Sequence, residues 1–133
     1  MEFSRTKTVE LIMSKRLLYV EDDVDLQALY KNKLEDAGYE VFLTATAEQA
    51  MSYLTDEKVS LVLLDIMLGG KLNGFDLLEW IRSGDKNKSV PVIVLTNLDN
   101  QGGVALKIGA SEYIVKVNTT PGLVVDRIKK VIG

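Results

Sequence analysis

At four places in this chain, residues able to do chemistry stand directly behind apolar runs. Glu21, Asp22 and Asp23 follow RLLYV, Asp65 follows SLVLL, Thr96 and Asn97 follow VPVIVL, and Lys116 closes EYIVK. Leaving a carboxylate unpaired at the end of a buried aliphatic strand costs roughly several kcal/mol, so Asp65 needs a reason to be there. If the segments carrying Asp22 and Asp65 are neighbours, two or three carboxylates converge on one small volume. Their repulsion raises their pKa values unless a cation sits among them, and a hard divalent ion with oxygen ligands, magnesium first, relieves it. Lys116 adds a fixed positive charge and Thr96 a hydroxyl donor. A carboxylate in that company is placed to attack phosphorus, with the cations and donors stabilising the charge on the transferring phosphoryl group. Asp65 is therefore expected to be a nucleophile that becomes an aspartyl phosphate.

Missing residue types narrow the chemistry. The 133 residues include no cysteine and no histidine. Thiol nucleophiles, disulfides, Cys-ligated zinc, Ser-His-Asp catalysis and a phosphohistidine on this chain are thereby excluded. A net charge of -3 gives no general attraction to nucleic acid or anionic membranes. No apolar run approaches the ~20 residues that span a bilayer. The start has only Leu11, Ile12 and Met13 as an apolar patch, too short for a signal peptide. A cytoplasmic protein is expected.

The elements that must position these residues alternate regularly. Strands are expected at 16–20, 39–43, 60–64, 90–95 and 112–116, and helices at 24–38, 46–54, 75–84, weakly at 99–110, and at 121–132. Gly38 suits the end of the first helix. Asp23 suits its N-cap, Thr46 and Gln49 have capping-box spacing, and Pro121 suits a first helical turn. Five β-α units without a long linker predict one α/β domain, a doubly wound parallel sheet whose central strands are covered on both faces. Ligands of such a sheet bind at the carboxyl ends of its strands, where the residues above stand. Residues 1–14 fall outside the pattern and are expected to be an N-terminal extension or tag, leaving 15–133 as the domain.

Together, LLYVEDD, LVLLDIML, VIVLTN and SEYIVK place Asp22, Asp65, Thr96 and Lys116 at successive intervals of 43, 31 and 20 residues. Singly, each has an ordinary reading as a helix cap, a turn residue or a surface lysine. In this order and spacing the chain resembles the receiver domains of two-component response regulators, of the chemotaxis-regulator type, over about residues 15–132. The resemblance implies a flavodoxin-like fold with five helices and strand order 2-1-3-4-5. It also implies that Asp65 accepts a phosphoryl group from a sensor histidine kinase or phosphotransfer protein. Asp22 would ligate Mg²⁺ directly, with Glu21 beside it through water and the Met67 backbone carbonyl completing the protein's share. Thr96 and Lys116 would bind phosphoryl oxygens, and Tyr113 would rotate with Thr96. The output would be altered binding of a downstream protein by the face built from the fourth helix, fifth strand and last helix, where two receiver copies can also pair as a homodimer.

The chain departs from the family pattern in ways that matter. The position after the strand-five lysine, usually proline and often cis, is Val117; a non-proline cis bond costs about 2.5–4 kcal/mol, so a trans peptide is expected. The usual proline four residues beyond the phosphoacceptor is Gly69, and Gly74 before the third helix comes one residue late. Asn97 replaces the usual small residue after Thr96 and is expected to modulate phosphoryl lifetime. Gly102 and Gly103 predict a fourth helix that begins late, near Gly103 or Val104, with a poorly ordered first turn.

Two other readings compete. One is a phosphorylation-independent adaptor on a receiver fold, against which Asp65, Thr96 and Lys116 all stand. The other is a flavin-binding flavodoxin relative, which would need a phosphate cradle where this chain has the acidic EDDVD. With the sequence ending at Gly133, either a stand-alone regulator or a receiver cut from a longer protein is expected.

Overall fold

The computed structural model describes residues 14–133; the first thirteen residues of the expected extension lie outside them. Five parallel strands form one sheet in the order β2-β1-β3-β4-β5: β1 Arg16–Val20, β2 Glu40–Thr44, β3 Leu61–Leu64, β4 Val92–Thr96 and β5 Glu112–Val115. Four helices connect them, α1 Val24–Asp36, α2 Ala47–Asp56, α3 Gly74–Ser83 and α4 Gly102–Ile108, and a fifth, α5 Pro121–Ile132, follows β5.

The aliphatic runs form the central strands because both faces of each are covered. Every residue of β3 and β4 is buried. Alternation divides the side chains between two cores. Leu18, Val20, Val62, Leu64, Val92 and Val94 pack with Ala50, Leu54, Leu77, Leu78 and Ile81 of α2 and α3. On the other face Leu17, Tyr19, Leu61, Leu63, Ile93 and Leu95 pack with Tyr30, Leu34, Val124 and Ile128 of α1 and α5.

Local signals set the helix ends. The Asp23 carboxylate accepts from the Asp25 and Leu26 N–H groups at 2.9 and 3.0 Å. Thr46 caps α2 by accepting from Gln49 N–H at 3.1 Å, but Gln49 Oε1 accepts from Ala45 N–H, one residue before the expected reciprocal partner. Asn73 and Asp76 complete a capping box on α3. α4 is short, has no side-chain cap, and starts at Gly102, one residue before the expected start.

Boundaries differ from expectation by at most two residues, except at α4, which covers only 102–108 of the expected 99–110. Thr96 is the last residue of β4, and β5 ends at Val115. Lys116 therefore opens a single 3-10 turn, Lys116–Asn118, instead of ending the strand. The described residues contain no cis peptide, so Lys116–Val117 is trans as expected. No helix among the described residues is long and apolar enough to cross a membrane.

Candidate functional site

β1 and β3 are hydrogen-bonded neighbours, with Val20 beside Leu64. The residues that follow these strands therefore emerge side by side. The ladder continues one step further, with Asp65 N–H donating to Val20 O at 3.1 Å. The carboxylates of Glu21, Asp22 and Asp65 each bring an oxygen to a point where all three lie within 4.8 Å of one another. Glu21 is fully buried and Asp65 3 % exposed, whereas Asp22 is exposed.

Lys116 bridges the two buried acids. Its Nζ lies 2.6 Å from Glu21 Oε1 and 2.8 Å from Asp65 Oδ2. Burial pushes the Glu21 carboxyl above the usual range and Asp65 pushes it further, while Lys116 opposes both. Burial by itself would lower the lysine, but its hydrogen bonds to Asp65 and Glu21 outweigh this and hold it above its ordinary value.

The remaining oxygens are oriented by backbone groups. Asp65 Oδ1 accepts from Met67 N–H at 3.0 Å, Asp22 Oδ2 from Gly69 N–H at 3.2 Å, and Glu21 Oε2 from Asp23 N–H at 3.2 Å. Glu48 on α2 steadies the same β3–α3 loop by accepting from Leu72 N–H at 3.1 Å. Three clustered carboxylates fixed by a loop offer the hard oxygen donors that Mg²⁺ or Ca²⁺ takes. The late glycine also has a physical reason. A Cβ on Gly74 would lie 2.4 Å from Asp65 O and 2.6 Å from Ile66 Cα, so α3 starts against the backbone of the strand end itself.

Thr96 is fully buried at the end of β4, and its Oγ1 lies 3.5 Å from the Leu98 nitrogen. The Tyr113 hydroxyl donates to Leu98 O, so the hydroxyls of Thr96 and Tyr113 meet the same residue of the β4–α4 loop. Asn97 is exposed, and its Oδ1 accepts from Val117 N–H at 3.1 Å.

Three supporting contacts escaped the sequence reading. Tyr19, buried in β1, donates to Glu21 Oε1 at 3.3 Å, and Gln27 of α1 donates to Glu21 O. Strand alternation puts Tyr19 and Glu21 on one side of the chain and could have suggested the first; nothing in the spacing of Gln27 marks the second. The third is Asn97 with Val117, where each residue stood out but not the pairing.

The response regulator receiver domain model matches residues 17–128. A probable transcriptional regulator, ycf27 of Cyanophora paradoxa, is 33 % identical over 107 residues, which are 79 % of this chain and 43 % of that protein. This chain thus spans less than half the length of the curated relatives it matches. Among solved structures, the BeF3-activated N-terminal receiver domain of RstA from Klebsiella pneumoniae superposes with a TM-score of 0.79 at 32 % identity, covering 88 % of this chain and 97 % of that one. The receiver domain of the sensor histidine kinase PA1611 from Pseudomonas aeruginosa, solved with a magnesium ion in its active-site cleft, gives 0.81 at 26 % identity, covering 90 % and 98 %. With the family model spanning most of the chain and a sheet of the family's order carrying the acids, the hydroxyl and the lysine at its strand ends, this chain belongs to the response regulator receiver family.

Proposed function

We propose that residues 15–133 form a phosphoaccepting switch of a two-component system, working in the cytoplasm, and that Asp65 is the phosphoacceptor. One observation carries this reading. Asp65 is a nearly buried carboxylate, 2.8 Å from Lys116 Nζ and within 4.8 Å of two further acids. The arrangement sets an acceptor carboxylate beside a fixed cation and further hard oxygen donors, which is what stabilises a transferring phosphoryl group.

In the reaction an Asp65 carboxylate oxygen attacks the phosphorus of a phosphohistidine on a sensor histidine kinase or phosphotransfer protein. The P–N bond breaks, and the imidazole nitrogen leaves with the electron pair. Lys116 stays near the acceptor and offsets charge on a phosphoryl oxygen, while Thr96 donates its hydroxyl to another. Asp22, Asp65 and the Met67 carbonyl would hold Mg²⁺, with Glu21 behind them. The ion's chemistry there is to neutralise charge shared between carboxylate and phosphoryl oxygens.

Geometry around Leu98 supports the switch. If the Thr96 hydroxyl turns to a phosphoryl oxygen, Leu98 loses that neighbour while Tyr113 still holds its carbonyl. A Cβ on Gly102, the first residue of α4, would stand 3.6 Å from the ring of Tyr113, so the glycine there leaves the ring room to turn. The α4-β5-α5 face then changes its affinity for a downstream protein or a second copy, with no direct nucleic-acid contact by this domain. Asn97, next to Thr96, tunes the phosphoryl lifetime.

Incubation with acetyl phosphate and Mg²⁺, read by intact mass, tests the proposal. The wild type should gain one phosphoryl group, and Asp65→Asn none. Equal gain by both proteins would reject Asp65, and no gain by either, with histidine kinases also failing to transfer, would favour the adaptor reading.

A further inference from the structure

We propose that Asn97 is a positioning residue for Lys116: from the neighbouring loop it caps the 3-10 turn that carries the lysine. The last rung of the β4–β5 ladder is Thr96 beside Val115. The next residue on each strand is the one at issue, Asn97 on one and Lys116 on the other. Lys116 opens the turn Lys116–Asn118, which receives no side-chain hydrogen bond from its own preceding residue, Val115. The first N–H groups of a helical turn have no acceptor inside it. Asn97 Oδ1 supplies one, accepting from Val117 N–H at 3.1 Å. The contact adds a side-chain rung just past the end of the ladder, on the edge of the sheet where Asp65 lies.

The other closure of this turn is long, with Thr119 N–H reaching Lys116 O at 3.4 Å. The lysine has a narrow task nonetheless, since one Nζ must stay 2.6 Å from Glu21 and 2.8 Å from Asp65. Asn97 and Val117 are also two positions at which this chain leaves the receiver pattern. A proline at 117 would have no N–H to give, so the asparagine finds a donor only because valine stands there. The two departures form one contact. Both residues are exposed, Val117 by 77 %, so the contact sets geometry and contributes little to folding.

The consequence for phosphorylation rests on the function proposed above, so the test separates the two. Amide exchange at Val117 and the side-chain NMR signals of Lys116 are recorded on unphosphorylated wild type, Asn97→Ala and Asn97→Asp; the aspartate keeps an acceptor oxygen. The rate of modification by acetyl phosphate is measured on the same proteins. In Asn97→Ala, Val117 exchange should rise by roughly threefold to tenfold, the Lys116 signals should shift and broaden, and modification should slow. Asn97→Asp should restore Val117 protection and the Lys116 signals. Unchanged Val117 exchange in Asn97→Ala would overturn the cap. Lost protection with unmoved Lys116 signals would overturn its positioning role. A wild type that takes up no phosphoryl group would fail the phosphoacceptor reading alone, leaving the amide and lysine signals to decide the cap.

Discussion

Lys116 and Asp65, 51 residues apart in the chain, meet with Nζ 2.8 Å from Oδ2 at the carboxyl edge of the sheet. The same ammonium holds the fully buried Glu21. Replacing Lys116 by methionine keeps the stem and removes the charge, leaving two buried acids facing each other. Urea unfolding in EDTA should show a loss of roughly 1–3 kcal/mol, and acetyl phosphate should modify the variant far more slowly than wild type. Unchanged stability would mean that the lysine does not offset the buried acids.

Gly74 should be irreplaceable, for a reason of space. A methyl group there meets the backbone of Asp65 and Ile66 at 2.4 and 2.6 Å, which cannot be relieved by turning a side chain. Gly74→Ala should destabilise by about 1–3 kcal/mol or more. Gly103→Ala is the matched control, because nothing lies within 4 Å of its added carbon inside α4. That change should stabilise by up to about 1 kcal/mol. Chemical denaturation of the two variants should move in opposite directions.

Arg82 is expected to anchor the far end of α4. Its Nε and Nη2 donate to Gly109 O at 3.0 and 2.7 Å, and its Nη1 to Val90 O and Lys88 O at 2.6 and 3.0 Å. One ammonium cannot reproduce that fork. Arg82→Lys should cost about 1–2 kcal/mol and speed amide exchange at Gly109 and Ala110. Exchange unchanged at both would show that the guanidinium does not hold this corner.

Alkali should unfold the protein through its tyrosines. Burial pushes the hydroxyls of Tyr30, Tyr39 and Tyr53 above the ordinary value of 10.0. A group raised in the folded state contributes stability that is fully present below its unfolded pKa and is lost as pH rises through the folded one. Stability should therefore fall from about pH 10 upward. Tyrosinate absorbance should appear together with the loss of far-ultraviolet circular dichroism. Tyrosinate forming near pH 10 in a protein that stays folded would contradict the burial of these rings.

Much of this was legible in the sequence, because strong local signals agree with the tertiary structure. The aliphatic runs of β3 and β4 announce strands covered on both faces, and the polar residues behind them mark the edge where the site assembles. Asp23 and Thr46 cap the helices they precede, as their positions predict. What escaped depends on partners distant in sequence. Whether Lys116 ends a strand or opens a turn is decided by where the ladder to β4 stops. Why a glycine must stand at 74 is visible only once α3 is laid against the end of β3. Tyr19 looks like an ordinary core aromatic, and only folding brings its hydroxyl to Glu21.

The central claim is that the carboxylate at 65, and no other, takes the phosphoryl group. Borohydride reduction of the acyl phosphate after treatment with acetyl phosphate and Mg²⁺, followed by peptide mapping, reads the position directly. Reduction of the residue at 65 alone, converted to homoserine, is the predicted result. A reduced residue at 22 or 23, or a phosphoryl group on Thr96 that survives the reduction, would contradict it.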